Sequence, residues 1–174
     1  MDFNKIKLLI LDNDGVLTDG SIILNNERVE SKNYNAKDGL GVRLLSFSDI
    51  KLAIITGRSS EVVKKRCEEL DIELLFQGVR NKFQKTLELI SELGIDWENI
   101  AYLGDDWNDY PVMEKCGISA VPADAFDDFK QKADIVLDRK GGKGAVREII
   151  ELILKKQGKY DKSLQRFLAH LKSQ

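Results

Sequence analysis

The chain has 174 residues, 43% hydrophobic and 32% charged, with a formal net charge of −2 at neutral pH. That length and mixture suit one globular domain with a sizeable core, and the near-neutral balance gives no reason to expect nucleic acid as a partner. No apolar run approaches the roughly 20 residues needed to span a bilayer, and Met1–Lys5 runs so directly into an apolar stretch that no room is left for a signal peptide.

Leu8–Leu11 is four large apolar residues in a row, the pattern of a strand buried on both faces. It stops on Asp12 and Asp14, one residue apart, and then Gly15. In extended chain alternate residues share a side, so the two carboxylates point the same way, and Gly15 lets the chain turn sharply. Like charges held that close need an offsetting cation, and an oxygen-rich cluster suits Mg²⁺. Ser21–Asn25 and Arg28–Asn33, separated by Asn26-Glu27, read as a β-hairpin. A helix is predicted from about Gly39 to Ser48, then a buried strand at Lys51–Thr56 ending in Thr56-Gly57-Arg58. Ser59 and Ser60 are placed to cap the next helix, which runs to Leu70.

Further along, Glu73–Phe76 reads as a strand and Lys82–Leu93 as a helix that stops on Gly94. The strand Ile100–Leu103 runs into Gly104-Asp105-Asp106. A helix at Tyr110–Lys115, a strand at Ile118–Val121, a helix around Ala125–Gln131 and a strand at Asp134–Leu137 follow. Gly141-Gly142-Lys143-Gly144 then opens a helix from Ala145 to Lys156. The sequence lacks the Walker Gly-Lys-Ser/Thr ending, so this is a turn and not a phosphate loop. Residues 1–158 make one domain; 159–174, with Leu164, Phe167, Leu168 and Leu171 at helical spacing, make a terminal helical tail. Cys67 and Cys116 read as reduced packing residues of a cytosolic protein, and the single histidine, His170, excludes a histidine- or cysteine-based metal centre.

Strands alternating with helices imply a doubly wound, Rossmann-like α/β domain with a parallel sheet, whose ligands bind beyond the carboxyl ends of the strands. Four such ends carry chemistry: Asp12/Asp14, Thr56, Lys82, and Asp105/Asp106 with Asp109. Taken singly, Thr56-Gly57 is a common turn, Lys82 one more lysine, and Asp105-Asp106 a helix cap. Together they supply every part that phosphoryl transfer needs. One carboxylate attacks phosphorus and a second carries the proton. A hydroxyl and an ammonium hold the remaining phosphoryl oxygens, and a metal bridges nucleophile and substrate.

In order and wording these motifs resemble the haloacid-dehalogenase-like phosphatase superfamily. Asp14–Gly20, Ile54–Arg58, Phe76-Gln77-Gly78, Gly104-Asp105-Asp106, Pro111–Lys115 and Gly141–Glu148 are similar to the 3-deoxy-D-manno-octulosonate 8-phosphate phosphatase family, a likeness covering nearly everything from Lys7 to Gly158. The resemblance implies Asp12 as nucleophile and Asp14 as acid/base, with Thr56 and Lys82 completing the catalytic set. It implies Mg²⁺ on the Asp12 carboxylate, the Asp14 carbonyl and Asp105, backed by Asp106 and Asp109. It also implies a substrate pocket drawn from Asp14, Asn35, Asp38, Gly39, Arg43, Gly57, Arg58, Arg66 and Lys82. Asn13 departs from the apolar residue expected between the two aspartates, and its side chain is expected to face away from the site.

Neither the stretch from Asp12 to Thr56, already filled by the hairpin, a helix and a strand, nor the shorter one to Lys82 can hold a cap domain of roughly 50 residues. The capless family this chain resembles forms tetramers, with the hairpin packing at subunit contacts, and the glycine-rich turn is placed to help close a neighbouring site. The expected activity is cytoplasmic, Mg²⁺-dependent hydrolysis of the eight-carbon sugar-acid phosphate in the route to lipopolysaccharide sugars, by a homotetramer that binds neither nucleic acid nor membrane. A nine-carbon nonulosonate 9-phosphate is the nearest alternative, disfavoured because Arg58 stands where those relatives tend to carry Glu. A receiver-like domain would instead need its phosphoacceptor Asp on the strand that here ends Phe76-Gln77-Gly78. A non-catalytic binding domain is a further alternative, but the constellation lacks nothing.

Overall fold

The computed structural model describes residues 1–173, so Gln174 of the predicted tail lies outside the described residues. The strands are β1 (Leu8–Leu11), β2 (Ile23–Leu24), β3 (Glu30–Ser31), β4 (Lys51–Ile55), β5 (Leu74–Phe76), β6 (Ile100–Leu103), β7 (Ile118–Val121) and β8 (Ile135–Val136). The helices are α1 (Ala36–Ser46), α2 (Glu61–Glu69), α3 (Lys82–Leu93), α4 (Tyr110–Met113), α5 (Asp127–Lys130), α6 (Ala145–Lys156) and α7 (Tyr160–Lys172). Six strands form one sheet in the order β5-β4-β1-β6-β7-β8, every pair parallel, while β2 and β3 pair antiparallel as a separate hairpin. This is the doubly wound α/β architecture with the hairpin inserted after β1. Among the described residues there is no cap domain, and no helix is long and apolar enough to cross a membrane.

β1 lies at the centre because its whole sequence can be buried. Leu9 and Leu11 join a core with α1, α2 and α6 on one face, and Leu8 and Ile10 join another with α3, α4 and α5 on the other. Its register sets Leu11 beside Ile54 of β4 and Leu103 of β6, so the chain leaves all three strands at one level. That shared level brings residues 12, 56 and 105 together.

Some elements begin or end elsewhere than the sequence suggests, for local hydrogen-bonding reasons. Helix α1 starts at Ala36 because the Asn35 side chain caps it, accepting from the Lys37 N–H at 2.8 Å. The hairpin strands shorten to two residues each. Asn25 Oδ1 accepts from the N–H groups of Glu27 and Val29, at 3.0 and 2.8 Å, and turns the chain early. Ser60 occupies the cap position of α2 without a capping side-chain bond; its N–H donates instead to Gln77 Oε1 at 2.8 Å. The tail helix α7 rests against α1 and α6, with Phe167 edge-on to Phe47. Both cysteines are free thiols.

The glycine-rich turn before α6 packs on the loop that follows β1 in its own chain. Gly142 donates its N–H to the Val16 carbonyl at 2.9 Å, and a β-carbon on Gly141 would stand 1.8 Å from the Gly15 carbonyl oxygen. Backbone cannot yield as a flexible side chain can. Gly141→Ala should therefore destabilise the protein by about 2 kcal/mol or more, a fall in Tm of roughly 4–8 °C readable by calorimetry. An unchanged Tm would mean that the loop and turn are not rigidly joined.

Candidate active site

A cleft of about 320 Å³ opens at the carboxyl ends of the central strands, lined by Asp12, Asp14, Thr56, Gly57, Arg58, Asp105, Asp106, Trp107 and Asn108. Past β1 the chain makes a wide turn closed by the Thr18 N–H on the Asn13 carbonyl, 3.0 Å. Gly15 takes a positive φ of 86° there, and a β-carbon at this position would meet Asp105 Oδ2 at 2.0 Å. The glycine thus serves two ends, turning the loop and letting the carboxylate of a distant strand close on it.

Lys82 stands at the first position of α3 and is buried beneath the cleft. Its ammonium reaches Asp12 Oδ1 at 2.9 Å and Asp109 Oδ1 at 2.6 Å. The fully buried Tyr102 of β6 also donates to Asp109 Oδ1, at 2.6 Å, and the Asp105 N–H donates to Asp109 Oδ2 at 3.1 Å. Both oxygens of Asp109 are therefore engaged by protein groups. One carboxylate oxygen from each of Asp12, Asp105 and Asp109 lies within 4.8 Å of the others.

Three carboxylates against one ammonium leave this pocket with excess negative charge in a poorly solvated place. Burial, then repulsion from Asp109, lifts the Asp12 carboxyl to about 7 against the pull of Lys82. Burial, then Asp12, lifts Asp105 to about 8. Burial works against the Lys82 ammonium, yet Asp109 and Asp12 outweigh it and hold its pKa above the ordinary value. An all-oxygen donor set with surplus negative charge is the environment that a hard divalent cation such as Mg²⁺ fits.

Of the other residues singled out in the sequence, Thr56 is buried at the end of β4, and Arg58 reaches from the cleft to Glu30 Oε1 of the hairpin at 2.9 Å. Asp106 accepts from the Trp107 N–H at 2.8 Å and lines the cleft directly. The remaining pocket candidates lie outside the cleft lining of a single chain. Asp38 is buried with both oxygens committed to α6, accepting from the N–H groups of Gly144 at 3.0 Å and Arg147 at 2.8 Å. Asn35 caps α1, and Gly39 packs against the Arg66 guanidinium. Arg66 lies over the Tyr34 ring at 5.5 Å and pairs with Glu69 at 2.7 Å. Arg43 is a clear correction. Two turns into α1, it is carried to the opposite end of the sheet, where it pairs with Asp71.

Asn13 is a second correction. Its side chain is fully buried beside the site, donating from Nδ2 to Asp14 Oδ1 at 3.0 Å and accepting at Oδ1 from the Tyr34 hydroxyl at 3.3 Å. Three residues at the site have no role in the sequence reading. Trp107 and Asn108 stand between Asp106 and Asp109 and line the cleft. Lys32 hides in the hairpin, its side chain 1% exposed, donating to Asp14 Oδ1 at 2.5 Å. The available signal was the alternation Glu30-Ser31-Lys32, which puts the acid and the base on one face.

Residues 72–150 match the haloacid dehalogenase-like hydrolase family. The chain is 49% identical over 159 residues to the 3-deoxy-D-manno-octulosonate 8-phosphate phosphatase KdsC of Escherichia coli K12, covering 91% of this chain and 85% of that one. It also resembles the crystal structure of the same-named phosphatase from Moraxella catarrhalis in complex with a magnesium ion, a phosphate ion and 3-deoxy-D-manno-octulosonate. The TM-score there is 0.91 at 40% identity, with 95% of each chain covered. A cobalt-bound form of the Haemophilus influenzae phosphatase matches with a TM-score of 0.88 at 39% identity, over 92% of this chain and 94% of that one.

Carboxyls raised by folding contribute stability that is whole below their ordinary value near 3.8 and is lost as pH climbs through the raised values. In EDTA, the Tm should therefore decline between about pH 4 and pH 8 from this source. Mg²⁺ must displace those protons, so it should raise Tm more at pH 8 than at pH 6. A Mg²⁺ effect independent of pH would show that these carboxyls are not the ligands.

Proposed function

Since the chain belongs to the 3-deoxy-D-manno-octulosonate 8-phosphate phosphatase family, we propose that it releases inorganic phosphate from that sugar-acid phosphate, as a Mg²⁺-dependent phosphoric monoester hydrolase. The observation carrying this reading is the convergence of Asp12, Asp14, Thr56 and Asp105 on one cleft with Lys82 beneath it. Relatives with this activity, at 49% identity, support it over the nonulosonate, receiver-like and non-catalytic alternatives.

Asp12 is the nucleophile. Its carboxylate attacks phosphorus, giving an aspartyl-phosphate that water then hydrolyses. Asp14 protonates the departing sugar oxygen and later takes the proton of the attacking water. Thr56 and Lys82 hold phosphoryl oxygens, and Lys82 also fixes the nucleophile through its 2.9 Å contact. Mg²⁺, held by Asp12, Asp105 and the Asp14 carbonyl, supplies charge neutralisation of the phosphoryl group. Asp109 stays behind these ligands, because both its oxygens are already engaged. Arg58 meets the substrate carboxylate, for which Glu30 holds it in waiting.

Residues 1–158 carry this chemistry, and the helical tail is an appendage to it. The hairpin leaves Ile22, Ile23, Leu24 and Val29 exposed, an apolar ribbon that a second copy of the chain would cover. A homotetramer closing the open cleft from outside fits that exposure, as does a cytoplasmic setting for a chain with two free thiols.

Asp12→Asn should abolish turnover with the fold intact by circular dichroism, since an amide neither attacks phosphorus nor ligates Mg²⁺ well. More than a few per cent of residual activity would remove Asp12 from this role. Arg58→Ala should lower kcat/KM for the sugar-acid phosphate about 10- to 100-fold, the loss of a charge-assisted hydrogen bond. With p-nitrophenyl phosphate, which has no carboxylate, the change should be only a few-fold. Equal losses on both substrates would assign Arg58 to the phosphoryl site or the fold.

A further inference from the structure

We propose that Lys32 and Asn13 are positioning residues for Asp14, gripping one oxygen of its carboxylate so that the other handles the proton. The inference rests on the acid/base reading of Asp14. Two donors converge on the same atom: Lys32 Nζ at 2.5 Å and Asn13 Nδ2 at 3.0 Å, both to Asp14 Oδ1. An oxygen that already accepts two N–H groups is a poor place for a further proton. The transferable proton therefore sits on Oδ2, the oxygen that neither donor touches.

Each grip is itself held. The Asn13 carboxamide is fully buried and its orientation is set, because Oδ1 takes the Tyr34 hydroxyl and Nδ2 is thereby left for Asp14. Tyr34 is tied in turn to the loop by its bridge to Thr18. The Lys32 ammonium lies between two carboxylates, with Glu30 Oε1 at 3.3 Å opposite Asp14, and Glu30 also receives Arg58. A buried lysine spanning two acids cannot swing away without leaving both charges unpaired. The hairpin thus reaches into the catalytic centre as well as decorating the surface.

In the first half-reaction the Asp12 oxygen bonds to phosphorus while the phosphorus–oxygen bond to the sugar breaks, and the Asp14 Oδ2 proton passes to the departing alkoxide. In the second, water bonds to phosphorus, its proton returns to Asp14 Oδ2, and the Asp12–phosphorus bond breaks. A misdirected Asp14 harms the first half in proportion to how badly the leaving group needs that proton.

The test is a leaving-group series of monoesters lacking any carboxylate, phenyl phosphate against p-nitrophenyl phosphate, with Mg²⁺ saturating. For Lys32→Met and for Asn13→Val, kcat/KM on phenyl phosphate, which reports only the first half-reaction, should fall about 30-fold or more, and on p-nitrophenyl phosphate less than about threefold, since nitrophenolate leaves unaided. A purely structural role would lower both alike, and a substrate-binding role for Lys32 would raise KM for both; either pattern overturns the proposal. Should Asn13→Val fail to fold, Tyr34→Phe, which frees the carboxamide to rotate, replaces it with the same expectation. Asp14→Asn separates the two layers. If it shows the leaving-group dependence and the positioning variants do not, only the present proposal fails; if Asp14→Asn shows none, the acid/base reading fails beneath it.

Discussion

The buried ammonium of Lys82 is the constraint on which this site depends. It lies between Asp12 at the end of β1 and Asp109 beyond β6, with Tyr102 bonded to the same Asp109 oxygen. Removing one member of such a group leaves an uncompensated charge in a poorly solvated place, a cost of about 3–5 kcal/mol in comparable cases. The parallel register of β1 and β6 ends both strands at one level, the loop after β6 folds Asp109 back against Gly104 and Asp105, and α3 starts where its first side chain can reach both carboxylates. Fold and chemistry therefore specify each other: the sheet sets the carboxylates close, and the lysine makes their closeness tolerable.

Most of the architecture could be read from the chain because its signals are local. Four-residue apolar runs such as Leu8–Leu11 and Ile100–Leu103 leave little choice but a strand buried on both faces, and Ala145–Lys156 has an apolar stripe that only a helix satisfies. The failures share a cause too. α1 starts early and the hairpin is pinched short because single asparagine side chains, Asn35 and Asn25, redirect backbone hydrogen bonds. Periodicity carries no trace of such bonds.

The acidic core of the site was legible since Asp12 and Asp105 follow strand ends by one and two positions. Lys32, Asn13 and Arg43 were not, because a side chain's direction there depends on how a hairpin folds back or how far a helix has travelled. Arg43 is arginine in a plausible stretch of sequence, yet two helical turns take it away from the cleft. Lys32 looks like a surface residue of a polar ribbon until the ribbon bends over Asp14. Sequence proximity to a motif is a weak guide to spatial proximity once a turn intervenes.

The contact between Gly141 and Gly15 bears on when the protein becomes active during its own synthesis. The loop carrying Asp12 and Asp14 is synthesised well before the turn that backs it, which follows β8. β1 itself waits for β4 on one side and for β6 on the other. Non-local pairings of this kind form late, after the entropy of closing long loops has been overcome. A nascent chain therefore holds Asp12 and Asp14 unsupported until that turn has been made and has closed on their loop.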